Sequence, residues 1–215
     1  MTPNSTGDHP DESGDGGPRR TARWATRRQM IIDTSASVFA RNGYHNTGIA
    51  DLCDANELGK GGLYHYIGSK EQLLAAIHDR VMDEVMASAE RVITTSAAPT
   101  AKLEALGVEL LRVITTYPDH VWVFLHEFPA LTGDQAVQFR SRRRAFEEVV
   151  ETILGDGIET GEFRHVDPAL TARAWLGMHN YTYLWLRTGG TLTSDAVAQH
   201  FSAIFVSGLA PRSND

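Results

Sequence analysis

Hydrophobic residues recur along this chain with the three-to-four-residue spacing of amphipathic helices, and no segment alternates as a half-buried strand would. The first periodic segment starts at Met30 and stops at Asn42-Gly43, a typical helix end. Thr47 then has the position of an N-cap for a short second helix over residues 48–54. The pattern therefore predicts an all-α protein.

A linker of a few residues separates the second helix from GKGGLYHYI, which we predict to be a third helix. Ser69 follows as the N-cap of a long amphipathic helix that ends before Pro99. Five further helices are predicted over residues 103–116, 118–128, 134–160, 168–187 and 194–209. The chain thus has about nine helices, three short ones followed by a long one and then a helical body.

Charge is distributed unevenly, although the net charge of −7 taken alone argues against nucleic-acid binding. Residues 1–18 carry four acids and no base, residues 19–80 carry nine basic against six acidic residues, and residues 81–215 carry eleven against seventeen. The arginine-rich segment 19–28 is either a solvated basic linker or a flexible arm that contacts DNA phosphates or the minor groove. The one positive region is therefore near the N-terminus.

This order of elements is the layout of a helix-turn-helix DNA-binding domain. It consists of a basic segment, three short helices with a short turn between the second and third, and then a long helix. The motifs FARNGY at 39–44, LYHY at 63–66 and SKEQLL at 69–74 carry a more specific resemblance. Residues 27–75 resemble the N-terminal domain of tetracycline-repressor (TetR/AcrR) family regulators. The resemblance implies a repressor with a C-terminal helical domain that binds a ligand and forms a homodimer on a palindromic operator.

These observations divide the chain into three regions. Residues 1–22 are expected to be a disordered tail with the start of the basic arm, because residues 1–18 contain almost no residue that could anchor in a core. Residues 23–68 form the helix-turn-helix domain, and residues 69–215 form the ligand-binding and dimerisation domain.

The candidate DNA contacts belong to the arm and to the second, third and fourth helices: Arg27, Arg28, Thr47, Lys60, Gly61, Gly62, Tyr64, His65 and Lys70. Lys60 starts the third helix, where an ammonium can reach guanine O6 and N7. Tyr64, His65 and Lys70 suit phosphate contacts. Thr47 can cap the second helix and also offer its hydroxyl to a phosphate.

The sequence departs from the family pattern in the turn and the recognition helix. Glu57 stands where a turn glycine is usual. Glycines at 59, 61 and 62 each cost about 1 kcal/mol in helix propensity and remove side chains that could contact bases. We therefore expect a recognition helix that becomes fully ordered only on DNA.

The helical body carries no fixed motif, but it interleaves aromatic and polar side chains. The candidate ligand-binding residues are Trp122, His126, Trp175, His179, Asn180 and Tyr183. Residues 183–193 resemble the corresponding stretch of family members that respond to acyl-CoA thioesters, so the predicted ligand is a small hydrophobic molecule, with acyl-CoA as one candidate. Surplus apolar surface on the last two helices predicts a dimer interface that includes Trp185, Phe201, Ile204 and Phe205.

No catalytic motif supports an enzyme, and no cofactor is expected. His120, His126 and Glu127 lack the second histidine that a helical metal motif would add, so no metal site is predicted. The single cysteine, Cys53, and the absence of a long apolar run predict a cytoplasmic protein without membrane contact. Two alternatives remain: a DNA-binding regulator controlled by a protein or by no ligand, and a helical enzyme or carrier with a coincidental N-terminal pattern.

Overall fold

The computed structural model describes the backbone of residues 17–211 and the side chains of residues 20–211. Within this range the chain forms nine α-helices and no strand, which confirms the predicted all-α fold. The helices are α1 (Gly17–Asn42), α2 (Ile49–Asn56), α3 (Lys60–Ile67), α4 (Lys70–Ile93), α5 (Pro99–Thr116), α6 (Pro118–His126), α7 (Gly133–Glu159), α8 (Pro168–Asn180) and α9 (Ser194–Leu209). None of the helices described is long and apolar enough to cross a membrane.

Helix α1 corrects the expected start of the first helix and the conformation of the basic arm. The helix begins at Gly17 rather than near Met30, so the described part of the arm is helical, not a flexible arm or a linker. Arginine and alanine favour helix, and Trp24 packs this extension against α3. The disordered tail predicted for residues 1–22 is therefore wrong from residue 17 onward, and residues 1–16 lie outside the described part of the chain.

The helix predicted over residues 168–187 is also shorter than expected. Helix α8 ends at Asn180 and is followed by a 3-10 helix, Tyr181–Leu184. The hydroxyl of Thr182 donates to the carbonyl oxygen of His179, and the N–H groups of Trp185 and Leu186 both turn to the carbonyl of Thr182. The Thr182 hydroxyl bond and the i→i−3 bond of Trp185 interrupt the α-helical pattern after Asn180.

Two hydrophobic cores share helix α4. Its first half contributes Leu73, Leu74 and Ile77 to a core with the buried residues of α1, α2 and α3. Its second half, from Val81 to Val92, belongs to a larger core with α5, α7, α8 and α9. The expected division after residue 68 falls between α3 and α4, whereas α4 connects the DNA-binding core to the body.

Candidate DNA-binding site and effector cavity

Helices α2 and α3 form a helix-turn-helix whose turn is set by Glu57. Glu57 has φ 54°, and it is the one non-glycine residue with positive φ among those described. A side chain in this left-handed conformation costs about 1 kcal/mol relative to glycine. Its position is the one where the family pattern has a glycine, so the backbone of the turn is kept although the residue differs. The buried Asn56 supports the turn by donating to the carbonyl of Leu52.

The outer face of α3 carries the predicted recognition residues. Leu63 and Ile67 are buried and hold the helix on the domain core, and Tyr66 is partly buried against it. The exposed set comprises Lys60, Gly61, Gly62, Tyr64 and His65. Gly59 is the N-cap of α3, where glycine costs little, so only two of the three glycines weaken the helix itself.

Thr47 does not have its predicted role. Its side chain is 1% exposed, and its hydroxyl donates to the carbonyl oxygen of Gly43 at 2.8 Å. The N-cap of α2 is Gly48 instead, and the carboxylate of Asp51 accepts the N–H of Gly48 at 2.7 Å. The Thr47 hydroxyl therefore stabilises the turn after α1 and is not displayed to a phosphate in this structure.

Lys70 is half-buried and bound to the same turn. Its ammonium donates to the carbonyl oxygen of Tyr44 at 2.6 Å and lies 4.2 Å from the centre of the Tyr44 ring. Burial lowers the pKa of Lys70, and the carboxylates of Glu71 and Glu127 oppose this effect. An ammonium has three donors, so Lys70 can still donate to a phosphate, and that contact stays a prediction. Lys70 also positions the backbone in front of α2.

The N-terminal part of α1 lies against the recognition helix, in part through Trp24 and Tyr66, which the sequence analysis did not single out. Trp24 stacks on Tyr66, with ring centres 5.8 Å apart, and its indole N–H donates to His65 at 3.3 Å. Arg28 donates to the carbonyl oxygen of Tyr66, and Arg27 donates to the carbonyl oxygen of Asn56. Arg27 and Arg28 thus bind the helix-turn-helix itself. The spacing 24–28–31 on one helical face was the available signal for this packing.

A short groove lies beside these contacts. It is lined by Arg20, Arg23, Trp24, Arg27, His65 and Tyr66, and so combines three guanidinium groups with an aromatic floor. Positive charge beside an exposed recognition helix suits a phosphate backbone. The groove extends the candidate DNA-binding surface beyond α3.

The predicted ligand residues separate into three places. Of the six, only Asn180 lines the interior cavity of the body, which is formed by α4 to α8. Trp175 and His179 are fully buried in the core. Trp122, His126 and Tyr183 form a separate cluster, in which Trp122 stacks on His126 at 4.4 Å and the Tyr183 hydroxyl lies 3.0 Å from His126 Nε2.

The interior cavity is narrow and lies among α4, α5, α6, α7 and α8. Its volume is about 50 Å³, which is enough for a few water molecules. Drug-sized ligands occupy cavities of about 300 Å³ or more. Apolar side chains supply most of its wall, among them Val81, Met82, Val85, Leu110, Phe124 and Leu176. Arg143, Glu147 and Asn180 are its polar groups. Neither Arg143 nor Glu147 is among the predicted ligand-binding residues.

Two histidines are buried without a partner for one ring nitrogen. His78 and His179 each bond through Nδ1 to the carbonyl four residues earlier, while Nε2 has no partner among the described residues. Burial lowers the pKa of each to about 4, so both are neutral at pH 7. Gly107 allows the close packing of His179, because a Cβ at residue 107 would lie 2.8 Å from its Nε2.

Helix α6 contacts the DNA-binding domain at its N-terminal end. The carboxylate of Asp119 accepts the hydroxyl of Ser37, and Nε2 of His120 lies 3.1 Å from the carboxylate of Asp33. Burial lowers the pKa of His120, and the neighbouring Asp33 opposes this effect. Both partners belong to α1, so α6 and α1 are joined by polar contacts.

A further contact lies just after the C-terminal end of α6. Glu127 Oε1 accepts the backbone N–H of Tyr44 at 3.0 Å. Since Lys70 holds the carbonyl of the same residue, Tyr44 is fixed from both sides. Phe124, between the two ends of α6, lines the cavity. The helix that forms part of the cavity wall therefore also fixes the turn that leads into α2.

The predicted dimer residues belong to an exposed apolar surface on α8, α9 and the segment between them. Trp185 is 41% exposed and Ile204 is 58% exposed, whereas Phe201 and Phe205 are half-buried against the core. Other large apolar side chains exposed on these elements are Leu170, Tyr181, Leu184 and Leu192. A monomer rarely exposes so many large apolar residues on adjoining elements.

Comparisons with known proteins agree with this architecture. The family model of bacterial regulatory proteins of the tetR family matches residues 31–77, and that of the tetracyclin repressor-like C-terminal domain matches residues 96–209. The HTH-type transcriptional repressor KstR2 of Rhodococcus jostii (strain RHA1) is 28% identical over 195 residues, which cover 87% of this chain and 93% of that protein.

Solved structures show the same fold. The ketosteroid transcriptional regulator KstR2 of Mycobacterium tuberculosis aligns with a TM-score of 0.81 and 26% identity, over 86% of this chain and 96% of that one. AibR, in a complex with isovaleryl coenzyme A and operator DNA, aligns with a TM-score of 0.75 and 30% identity, over 83% of this chain and 97% of that one. The chain described here belongs to the TetR family of transcriptional regulators.

Proposed function

We propose that this protein is a homodimeric repressor that binds a palindromic operator through α3 and is released by a small hydrophobic ligand. The observation that carries the DNA-binding proposal is the exposed face of α3 beside the arginine groove of α1. Lys60 begins α3, where its ammonium can reach a guanine edge. The groove arginines add phosphate contacts, which fix orientation without specifying sequence.

The chain offers a matched set of lysines to test this assignment. Lys60→Ala should relax base preference at one position of each half-site, at a cost of about 1–3 kcal/mol. Lys70→Ala should weaken binding to all sequences alike. Lys102→Ala, on α5 away from the DNA-binding domain, is the control. Fluorescence anisotropy with the duplex upstream of the protein's own gene measures all three, and unchanged binding by both the Lys60 and Lys70 variants contradicts the assignment.

The homodimer is proposed on the exposed apolar surface of α8 and α9. Two copies related by a twofold axis would bury Trp185 and Ile204 and place two α3 helices on successive major grooves of a palindrome. Ile204→Glu should therefore shift the protein to monomers in sedimentation velocity. The control is Val137→Glu, an exposed apolar residue on α7. A wild-type protein that sediments as a monomer at micromolar concentration contradicts the dimer.

The ligand response is proposed on the position of α6 between the cavity and the DNA-binding domain. The cavity must widen to accept a ligand, and movement of its Phe124 wall would strain the contacts of α6 with α1 and with Tyr44. A ligand acts only through its difference in affinity for the two arrangements, and about 1.4 kcal/mol of coupling gives tenfold weaker DNA binding. Acyl-CoA is the first candidate, since AibR was solved with isovaleryl coenzyme A. Titration of acyl-CoAs, free acids and aromatic compounds into the protein–operator complex tests the proposal, which fails if none releases DNA or raises the melting temperature.

A further inference from the structure

Four arginines lie close together on α7, and two of them form ion pairs with nearby carboxylates. The four are Arg140, Arg142, Arg143 and Arg144. Arg142 forms ion pairs with the α4 carboxylates, among them Asp79 at 3.1 Å. Arg144 pairs with carboxylates on its own helix, among them Glu151 at 2.8 Å. Two of the four therefore have a structural explanation.

Arg143 differs from both, because it lines the cavity and is half-buried without an ion pair among the described residues. Its guanidinium lies 5.8 Å from the centre of the Phe128 ring and 5.7 Å from that of Phe139. Within residues 20–211 it has neither a carboxylate at ion-pair distance nor a hydrogen-bond partner. A guanidinium that is partly shielded from water and has no counter-charge favours the binding of an anion.

The other polar groups of the cavity do not pair with this guanidinium. The carboxylate of Glu147 lies 3.5 Å from the guanidinium of Arg144 and is not at ion-pair distance from Arg143. Asn180 contributes a neutral amide. The remaining wall is mainly apolar, so the cavity combines an apolar interior with one available cation.

We propose that the ligand of this cavity is an apolar molecule that carries an anionic group, and that Arg143 binds the anion. This inference rests on the ligand-responsive function proposed above and names the chemical class of the ligand. A fatty acid and an acyl-CoA share an acyl chain attached to a negatively charged group, and the guanidinium can donate two hydrogen bonds to a carboxylate or to a phosphate.

Anion binding at Arg143 would also reach the DNA-binding core. An anion competes with Phe128 and Phe139 for the guanidinium. The Phe139 ring packs 5.0 Å from the His78 ring and 5.2 Å from the Phe124 ring, and Phe139 belongs to the same core as α1, α2 and α3. The charge of the ligand, and not only its volume, is thereby linked to the packing of that core.

Hexanoate, hexanoyl-CoA and 1-hexanol test the inference, because they share a six-carbon chain and only the first two are anionic. Binding is measured by calorimetry on the full-length wild-type protein and on three variants. Arg143→Gln should bind both anions about ten- to a hundredfold more weakly and 1-hexanol unchanged, since a hydrogen bond to a charged group is lost. Arg143→Lys should recover part of the anion binding. Arg140→Gln, at an exposed position on the same helix, should resemble the wild type.

The outcomes separate the two proposals. Loss of hexanoate binding alone, or of hexanoyl-CoA binding alone, identifies which anion Arg143 contacts and supports the inference. Equal weakening of all three probes, or none, in the Gln variant overturns the role of Arg143 while the ligand response stands. Failure of every probe to bind the wild-type protein overturns the inference together with the proposed ligand.

Discussion

Glu127→Ala tests whether α6 holds the DNA-binding domain in place. The Glu127 carboxylate accepts the N–H of Tyr44, a residue that is only 6% exposed, so the substitution leaves a buried donor without its partner. Such a loss costs about 1–3 kcal/mol. We take about 1–2 kcal/mol because Glu127 is itself half-exposed. For a chain of this size each kcal/mol lowers the melting temperature by about 2–4 °C, so we expect a fall of about 2–8 °C.

Two further variants separate the hydrogen bond from other effects. Glu127→Gln keeps an acceptor oxygen, so it should lose less stability than Glu127→Ala. Glu104→Ala removes an exposed carboxylate from α5 and should leave stability unchanged. Differential scanning fluorimetry measures the melting temperature, and anisotropy measures operator affinity, which should fall by up to about tenfold in Glu127→Ala. If Glu127→Ala and Glu104→Ala match in both measurements, α6 does not position the turn before α2.

Three further predictions concern stability and the α1 extension. Burial lowers the pKa of His179 to about 4 in the folded protein. In the unfolded chain the same side chain binds a proton below about pH 6.5, so between about pH 6.5 and pH 4 only the unfolded state is protonated. At pH 5 this difference lowers the free energy of unfolding by about 2 kcal/mol. Urea unfolding at pH 7.5 and pH 5 should show a smaller loss in His179→Gln, and an equal loss contradicts the argument. Gly157→Ala should destabilise the protein by about 1–3 kcal/mol, because its Cβ would lie 2.1 Å from the ring of Phe163. Gly155→Ala should stabilise the protein, because a Cβ there meets no atom within 4 Å. Urea unfolding compares the two variants, and equal stabilities would contradict the prediction. Trp24→Ala should weaken operator binding and reduce the salt dependence of that binding in anisotropy titrations. Met30→Ala, at an exposed position on the same helix, should change neither quantity. A Trp24 variant that binds the operator as the wild type does would show that the α1 extension contributes nothing to DNA binding.

The helical fold was predictable from sequence because its signals are local. Apolar spacing and capping residues such as Ser69 act within a few residues, and the structure confirms Ser69 as the cap of α4. One error arose where a distant contact decides. The spacing 24–28–31 indicates which face of α1 packs inward, but no local pattern identifies Tyr66, a partner about forty residues away in sequence, as the residue that orders Trp24. The error at the cap of α2 is local in origin: Thr47 and Gly48 are both acceptable caps by composition, and the nearby Asp51 carboxylate accepts the N–H of Gly48.

The candidate site divides in the same way. The exposed face of α3 followed from helical periodicity, because buried Leu63 and Ile67 fix which side points outward. The cavity could not be predicted from periodicity, because it is formed where five helices meet and the apolar residues of its wall do not differ in type from other core residues. Trp175 and Asn180 are equally plausible ligand residues by type, yet one is enclosed in the core and the other lines the cavity. Likewise, only the packing of α7 against α4 distinguishes Arg143 from its neighbours.

Sequence-specific DNA binding is the central claim, and a competition titration tests it most directly. The full-length protein is bound to a labelled duplex from the region upstream of its own gene, and unlabelled specific and scrambled duplexes of equal length then compete at physiological salt. The account predicts that the specific duplex competes about a thousandfold or more better than the scrambled one, and that Lys60→Ala narrows this ratio. Equal competition by the two duplexes would contradict it.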